Sequence, residues 1–186
     1  MPELPEVETI VRRLRVPLVG RRIESAKVFW ARTIAAPSAA RFVRDTRGQT
    51  VIAIARRAKY LLFSLSGGDT LLAHLRMTGQ FMLTPSDAPL DPHLRVVFHL
   101  DDGRDLRYTD SRKFGRMRLT SDPSSVLAKL GPEPLSAAFT VESLAKILAD
   151  RPTPIKPFLL NQERIAGLGN IYADEALHFA RVHPLR

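Results

Sequence analysis

Tyr60-Leu61-Leu62-Phe63-Ser64-Leu65-Ser66-Gly67-Gly68-Asp69-Thr70-Leu71-Leu72-Ala73-His74, residues 60–74, is the stretch on which the fold turns. Tyr60 to Leu65 has the length and apolar content of a β-strand. Gly67-Gly68-Asp69 supplies hairpin-turn residues, and Leu71 to Arg76 returns as a second strand. The pattern continues outward on both sides. Val51-Ile52-Ala53-Ile54 forms a strand before it. Gly79 to Leu83, Arg95 to Leu100, Asp105 to Thr109 and Gly115 to Leu119 follow it, with Asp101-Asp102-Gly103 as another turn. Short strands separated by Gly/Asp turns over residues 50–120 predict an antiparallel sandwich or barrel.

The flanks are different. Leu4, Val7, Ile10 or Val11, and Leu14 recur at three- and four-residue spacing, an amphipathic helix that Pro17 should end and Gly20 should turn. Ile23 to Trp30 is strand-like, and Ser38 to Val43 is a short helix stopped at Gly48. Beyond residue 120 the composition shifts. Asp122-Pro123-Ser124-Ser125 and Gly131-Pro132-Glu133-Pro134 are loops. Thr140 caps a helix with Leu144, Ile147 and Leu148 inward, ended by Pro152 and Pro154, and Ile155 to Leu160 is a short helical piece. Gly167 and Gly169 precede a helix from Asn170 to about Ala180 that buries Ile171, Ala173, Ala176, Leu177 and Ala180. His183-Pro184-Leu185-Arg186 looks like another helix start.

Composition sets bounds. The 186 residues suit one domain or two small ones, and no apolar run approaches the ~18 residues of a membrane span. Cysteine is absent, which excludes disulfides and Cys-ligated zinc within this chain and suits a cytoplasmic protein. Lys plus Arg is 28 against 19 acids, a net charge of +9, which favours polyanionic partners. Ribosomal, membrane-surface and DNA-binding proteins share that property, so it indicates a class of partner and no mechanism.

The N-terminus carries possible chemistry. Pro2 is small enough to permit removal of Met1, leaving a secondary amine. An α-amino group titrates near about 8, so a fraction is neutral and nucleophilic at physiological pH. Condensed with a sugar C1′, it gives a permanently cationic iminium that acts as an electron sink. Glu3 and Glu6 lie on one face of a helix starting here, and either can move a proton beside the amine. Pro and Glu in a first helical turn are equally an ordinary helix start.

Met1-Pro2-Glu3-Leu4-Pro5-Glu6-Val7-Glu8-Thr9 closely resembles the N-terminus of the formamidopyrimidine-DNA glycosylases, bacterial base-excision repair enzymes, and the resemblance recurs along the chain. It implies Pro2 and Glu3 as catalytic, with Glu6 in support. Arg56-Arg57-Ala58-Lys59-Tyr60 is a charged turn by composition. The resemblance makes Lys59 a phosphate-binding catalytic lysine and places Ala58 where the family usually has glycine. In His74-Leu75-Arg76-Met77-Thr78-Gly79, Met77 is by itself a core or turn residue. By resemblance it fills the space vacated by a flipped base, while His74 contacts a phosphate. His93 resembles a second phosphate-contacting histidine, although its context, Leu90-Asp91-Pro92, departs from the family's run and a buried histidine is an equal reading. In Tyr108-Thr109-Asp110-Ser111-Arg112-Lys113-Phe114-Gly115, the resemblance makes Arg112 the reader of the orphaned cytosine and Phe114 the wedge opposite it. A solvated hairpin with Phe114 in the core is the alternative. Lys156 matches a lysine beside the lesion. Gly167-Leu168-Gly169-Asn170-Ile171-Tyr172-Ala173-Asp174-Glu175 resembles the first half of a helix–two-turn–helix whose asparagine, Asn170, grips the flanking phosphate.

The expected architecture is α+β: an antiparallel β-sandwich with a leading helix over residues 1–131, then an incomplete helical DNA-binding domain over 132–186. DNA is expected across the cleft between them. The expected activity is a DNA glycosylase/AP lyase for oxidised purines acting as a monomer on double-stranded DNA, without a metal or nucleotide cofactor. The family continues into a four-cysteine zinc ribbon that this sequence lacks, as an engineered piece, a gene fragment or a shortened paralogue would. The competing readings are a DNA-binding paralogue without full activity and an endonuclease VIII-like glycosylase for oxidised pyrimidines. Leu4 and the Met77, Arg112, Phe114 set favour the purine branch.

Overall fold

Leu4, Val7, Val11, Leu14 and Leu18 are buried along one face of helix α1 (Leu4–Leu18). Their spacing puts them on one stripe, and each such burial stabilises by about 2 kcal/mol. Pro17, expected to end this helix, sits inside its last turn. A proline there forfeits one hydrogen bond, but Val19 N–H still reaches Arg15 O at 3.1 Å and the next residue, Leu18, is fully buried. A computed structural model of the protein describes residues 2–149 and 153–186. Met1 and Pro152, invoked for processing of the terminus and for stopping a helix, lie outside the described residues. The chain divides into two compact units, Met1–Pro123 and Ser124–Arg186.

The first unit adds β1 (Ile23–Val28), a 3-10 turn (Ala31–Thr33), β2 (Ile34–Ala36), α2 (Ala39–Thr46), β3 (Val51–Arg57), β4 (Tyr60–Leu65), β5 (Thr70–His74), β6 (Gln80–Pro85), β7 (Leu94–Leu100), β8 (Arg104–Thr109) and β9 (Arg116–Thr120). The described residues form a four-stranded sheet, β1-β7-β8-β6, and a five-stranded sheet, β2-β9-β5-β4-β3. The pairings are antiparallel except β2 with β9, which is parallel; β2 is too short to show a period in sequence. Along β4, Leu61, Phe63 and Leu65 are buried and alternate with less buried neighbours, the two-residue period of a strand with one face on a core. Phe63 meets Phe81 edge to face at 5.4 Å between ring centroids, joining the two sheets, and Phe81 lies 5.0 Å from Tyr108.

Two buried arginines organise loops in this unit. The Arg107 guanidinium pairs with the Asp105 carboxylate at 3.0 Å. It also donates to the carbonyls of Pro85, Ser86, Ala88 and Pro89. Arg95 donates from Nε to the Asp110 carbonyl at 2.8 Å.

The second unit contains α3 (Ser124–Leu127), α4 (Val141–Leu148), α5 (Ile155–Leu160) and α6 (Asn170–Phe179). The Ser124-Ser125 stretch, expected as loop, is thus a single helical turn, too short to carry an apolar period. Thr140 caps α4, accepting the Ser143 N–H at 3.2 Å, and α4 ends at Leu148 before either proline. Ile155, Leu159, Ile165, Ala173 and Leu177 form a small core, with Leu144, Ile147 and Leu148 packed on it. Of the α6 residues expected inside, Ala173 and Leu177 are buried, but Ile171 is 55% exposed and Ala176 and Ala180 are also exposed. Ala176 and Ala180 border an open apolar groove of about 530 Å³, with Leu144, Leu148 and Leu159 across it. The last residues start no helix. Instead the carbonyls of Pro184 and Arg186 accept the Lys156 and Ile155 N–H groups, the free donors at the start of α5. No described helix is long and apolar enough to cross a membrane.

Candidate active site and nucleic-acid interface

Helix α1 positions the N-terminal residues. Glu3 is its N-cap. The Glu3 N–H donates to Glu6 Oε2 at 2.9 Å, closing a reciprocal capping box in which each carboxylate holds the other residue's backbone. Glu3 is only 1% exposed, with Pro2 immediately before it and half-buried. Lys59 is 6% exposed and close enough to Glu3 for the carboxylate to favour its charged form. Burial outweighs that help and holds the ammonium below the usual lysine range. Lys59 lies in the two-residue turn between β3 and β4, where Arg57 pairs with Tyr60. Ala58, at the first turn position, has φ of 51°, the left-handed conformation that the family's glycine would take without strain; here it costs about 1 kcal/mol. The turn is tied to α1 through Arg56, whose Nε donates to Glu8 Oε2 at 3.0 Å. Arg12 and Arg56 together hold the Glu8 carboxyl below its ordinary range.

Met77 and Phe114 are the exposed tips of two neighbouring loops. They are 41% and 46% exposed, so neither is a core residue. Arg76, Met77, Phe114 and Arg116 line one hollow of about 400 Å³. Each tip follows a non-glycine residue in the left-handed region, Arg76 at φ 56° and Lys113 at φ 60°, a local strain of the kind found at functional turns. The Arg112 guanidinium lies 4.8 Å over the Phe114 ring, and the Lys113 ammonium 4.3 Å over Trp30.

His74, at the end of β5, meets Tyr60 edge to face at 4.8 Å. Its Nδ1 accepts the Arg76 N–H, and burial with the Arg76 and Lys59 charges lowers its pKa to about 4. It is therefore neutral at pH 7, with its proton on Nε2. His93 is exposed, and its carbonyl accepts the Asp110 N–H, which brings it to the base of the Arg112–Phe114 loop.

In the second unit, Lys156 pairs with Asp174 at 2.7 Å, so the lysine expected beside the lesion is matched by a carboxylate one helix away. Asn170 is exposed as the first residue of α6, after the extended N-cap Gly169. Three residues missed by sequence reasoning hold these features in place. Gln162 bonds the Leu160 and Leu168 carbonyls and the Gly167 N–H, all within 2.9 Å. Asp110 and Thr78 do the same for the two exposed tips. Side-chain hydrogen bonds of this kind leave no period in sequence, so only their residue types could have hinted at them. Among the described residues no three His, Cys, Asp or Glu side chains are grouped to hold a metal. With no cysteine in the chain, the residues present do not fit the family's zinc ribbon.

Residues 1–117 match the formamidopyrimidine-DNA glycosylase N-terminal domain, and residues 130–186 match the formamidopyrimidine-DNA glycosylase H2TH domain. This chain belongs to the formamidopyrimidine-DNA glycosylase family. Among curated relatives, the formamidopyrimidine-DNA glycosylase of Protochlamydia amoebophila is 46% identical over the whole chain, which spans 67% of that protein. That of Symbiobacterium thermophilum is 53% identical, and the chain spans 62% of it. The formamidopyrimidine-DNA glycosylase of Lactococcus lactis, solved with DNA containing an abasic site, superposes with a TM-score of 0.92 at 36% identity. All of this chain and 69% of that one are covered. The chain therefore spans about two thirds of the relatives it matches.

Proposed function

We propose that this protein is a DNA glycosylase with AP lyase activity that removes oxidised purines from duplex DNA. The observation that carries the reading is the buried Glu3 carboxylate beside Lys59, one residue from Pro2. In this reading residues 1–131 carry the chemistry, and 132–186 supply the first part of a helical phosphate clamp through Lys156 and Asn170. The relatives are bacterial, which supports placing the protein in the cytoplasm with the chromosome.

The residues divide the work as follows. The lone pair of the freed Pro2 amine forms a bond to C1′ as the C1′–N bond to the damaged base breaks, and the base leaves with a proton. Glu3 delivers a proton to the sugar ring oxygen as the C1′–O4′ bond opens, giving the iminium. Glu6 holds the Glu3 backbone and so fixes the distance between amine and carboxylate. Loss of a C2′ proton to the carboxylate expels the 3′ phosphate, and a second elimination expels the 5′ phosphate. Hydrolysis of the iminium frees Pro2. Lys59 and the neutral Nε2–H of His74 bind phosphate oxygens, while Met77, Arg112 and Phe114 occupy the gap left by the extruded nucleotide and hold the orphaned cytosine.

Borohydride reduces the iminium to a stable amine. The chain incubated with abasic-site duplex and borohydride should run as a covalent protein–DNA adduct, and an N-terminal extension before Pro2 should abolish it. Robust trapping by the extended protein would move the nucleophile to a lysine. Absence of any adduct from the unextended chain would overturn the reading.

A further inference from the structure

Asp110 is 1% exposed, yet it sits directly beneath two exposed apolar residues, Met77 and Phe114. A buried carboxylate is costly unless its oxygens are occupied. Here Oδ2 accepts the Gly115 N–H at 2.7 Å. Oδ1 accepts the Thr78 hydroxyl in a short bond and the Arg112 N–H at 3.2 Å. The Thr78 oxygen in turn accepts the same Arg112 N–H at 3.2 Å. Thr78 follows Met77, and Arg112 and Gly115 bracket Phe114. The backbone of Asp110 is anchored as well, its N–H to His93 and its carbonyl to Arg95 Nε. Below the pair, the Tyr108 hydroxyl fills the space between the loops so closely that a Cβ on Gly79 or Gly115 would overlap it, at 2.3 and 1.6 Å.

We propose that Asp110 and Thr78 are positioning residues: a hydrogen-bonded latch that joins the Met77 loop to the Arg112–Phe114 loop, so that the two tips enter DNA as one rigid body. The proposal rests on the glycosylase reading above. Its physical basis is that Met77 and Phe114 remain largely solvent-facing, with the Arg112 guanidinium lying over the Phe114 ring. Exposed Met and Phe side chains on independent loops would lose backbone freedom on insertion, and a latch removes most of that loss beforehand. A polar latch suits this place better than an apolar contact, because the tips must remain solvent-facing until a duplex arrives.

The test compares Thr78→Val, which keeps shape and loses the hydroxyl, with Thr78→Ser, which restores it. Two substrates separate the roles: a duplex with 8-oxoguanine opposite cytosine, where a base must be extruded, and a single-stranded abasic oligonucleotide, where there is no stack to open. Thr78→Val should slow single-turnover excision from the duplex roughly 10- to 100-fold. Borohydride trapping on the single strand should stay near the parent level, which also reports that the variant is folded. Thr78→Ser should recover duplex excision. A 2-aminopurine beside the lesion should brighten less on binding of Thr78→Val than of the parent. Equal loss on both substrates, or unchanged duplex excision, would overturn the latch while leaving the glycosylase reading intact. Failure of the parent chain to trap either DNA would instead overturn the reading itself, and the latch with it.

Discussion

The Nδ1 of His74 accepts the backbone N–H of Arg76 at 3.1 Å, which commits the imidazole to one neutral tautomer. Its pKa of about 4 lies below that of an unfolded histidine. Between those values the unfolded chain binds the extra proton. The stabilisation is thus complete above about pH 6.5 and is lost as pH falls toward 4. The ring is partly exposed, so the effect is on the order of 2 kcal/mol rather than the full shift. Urea unfolding at pH 7 and pH 4.5 should show His74→Gln losing less stability on acidification than the parent. As an uncharged donor, His74 should also leave the salt dependence of DNA binding unchanged when replaced.

Glu3→Gln should preserve the fold, since a glutamine can still take the capping hydrogen bond, and should retain DNA affinity. Excision of 8-oxoguanine should fall by roughly 10²–10⁴-fold. Single-turnover kinetics beside a binding isotherm separate the two effects.

Lys59→Ala should lower the log–log salt slope of duplex binding by about 0.9, the loss of one phosphate ion pair. Because burial depresses the Lys59 pKa, the parent's advantage over this variant should fade on the alkaline side at a lower pH than for an exposed lysine. Titrations of affinity against salt and against pH measure both.

Gly115→Ala should be severe, because the new Cβ would overlap the Tyr108 hydroxyl. A loss of about 2–3 kcal/mol is expected for overpacking a buried site. Adding Tyr108→Phe removes the closest atom and should return part of the loss, which thermal unfolding of the single and double variants will show.

Asp174→Asn should release Lys156 from its carboxylate partner. The pair is partly exposed, so stability should change by less than about 1 kcal/mol. Duplex affinity at low salt should rise, and Lys156→Ala on top of it should cancel the gain.

Much of the first unit is legible from local pattern. The three- and four-residue spacing of Leu4, Val7, Val11 and Leu14 and the alternation through Leu61, Phe63 and Leu65 both survive as buried faces. The sites exposed on turns, Met77 and Phe114, were legible only by resemblance, since a lone exposed apolar residue has no physical signature in sequence. Asp110, Thr78 and Gln162 escaped because side-chain hydrogen bonds carry no period: Thr78 and Asp110 meet from 32 residues apart, and Gln162 bonds an irregular loop within six residues of itself. Pro17 misled because a local breaker was weighed without the burial of Leu18. The face of α6 misled because an apolar stripe fixes which side turns inward but not how much of it is covered.

Arg95 and Arg107 spend their guanidinium donors on carbonyls inside the fold. Counting basic residues along the chain therefore overstates the cationic surface available to a polyanion. Arg107→Lys would leave the formal charge untouched, yet an ammonium cannot span the Pro85–Pro89 carbonyls that the planar fork gathers. In a charge-conserving mutational scan this arginine would register as a defect of loop shape. Its signal would be a loss of thermal stability with no change in electrostatic attraction to DNA.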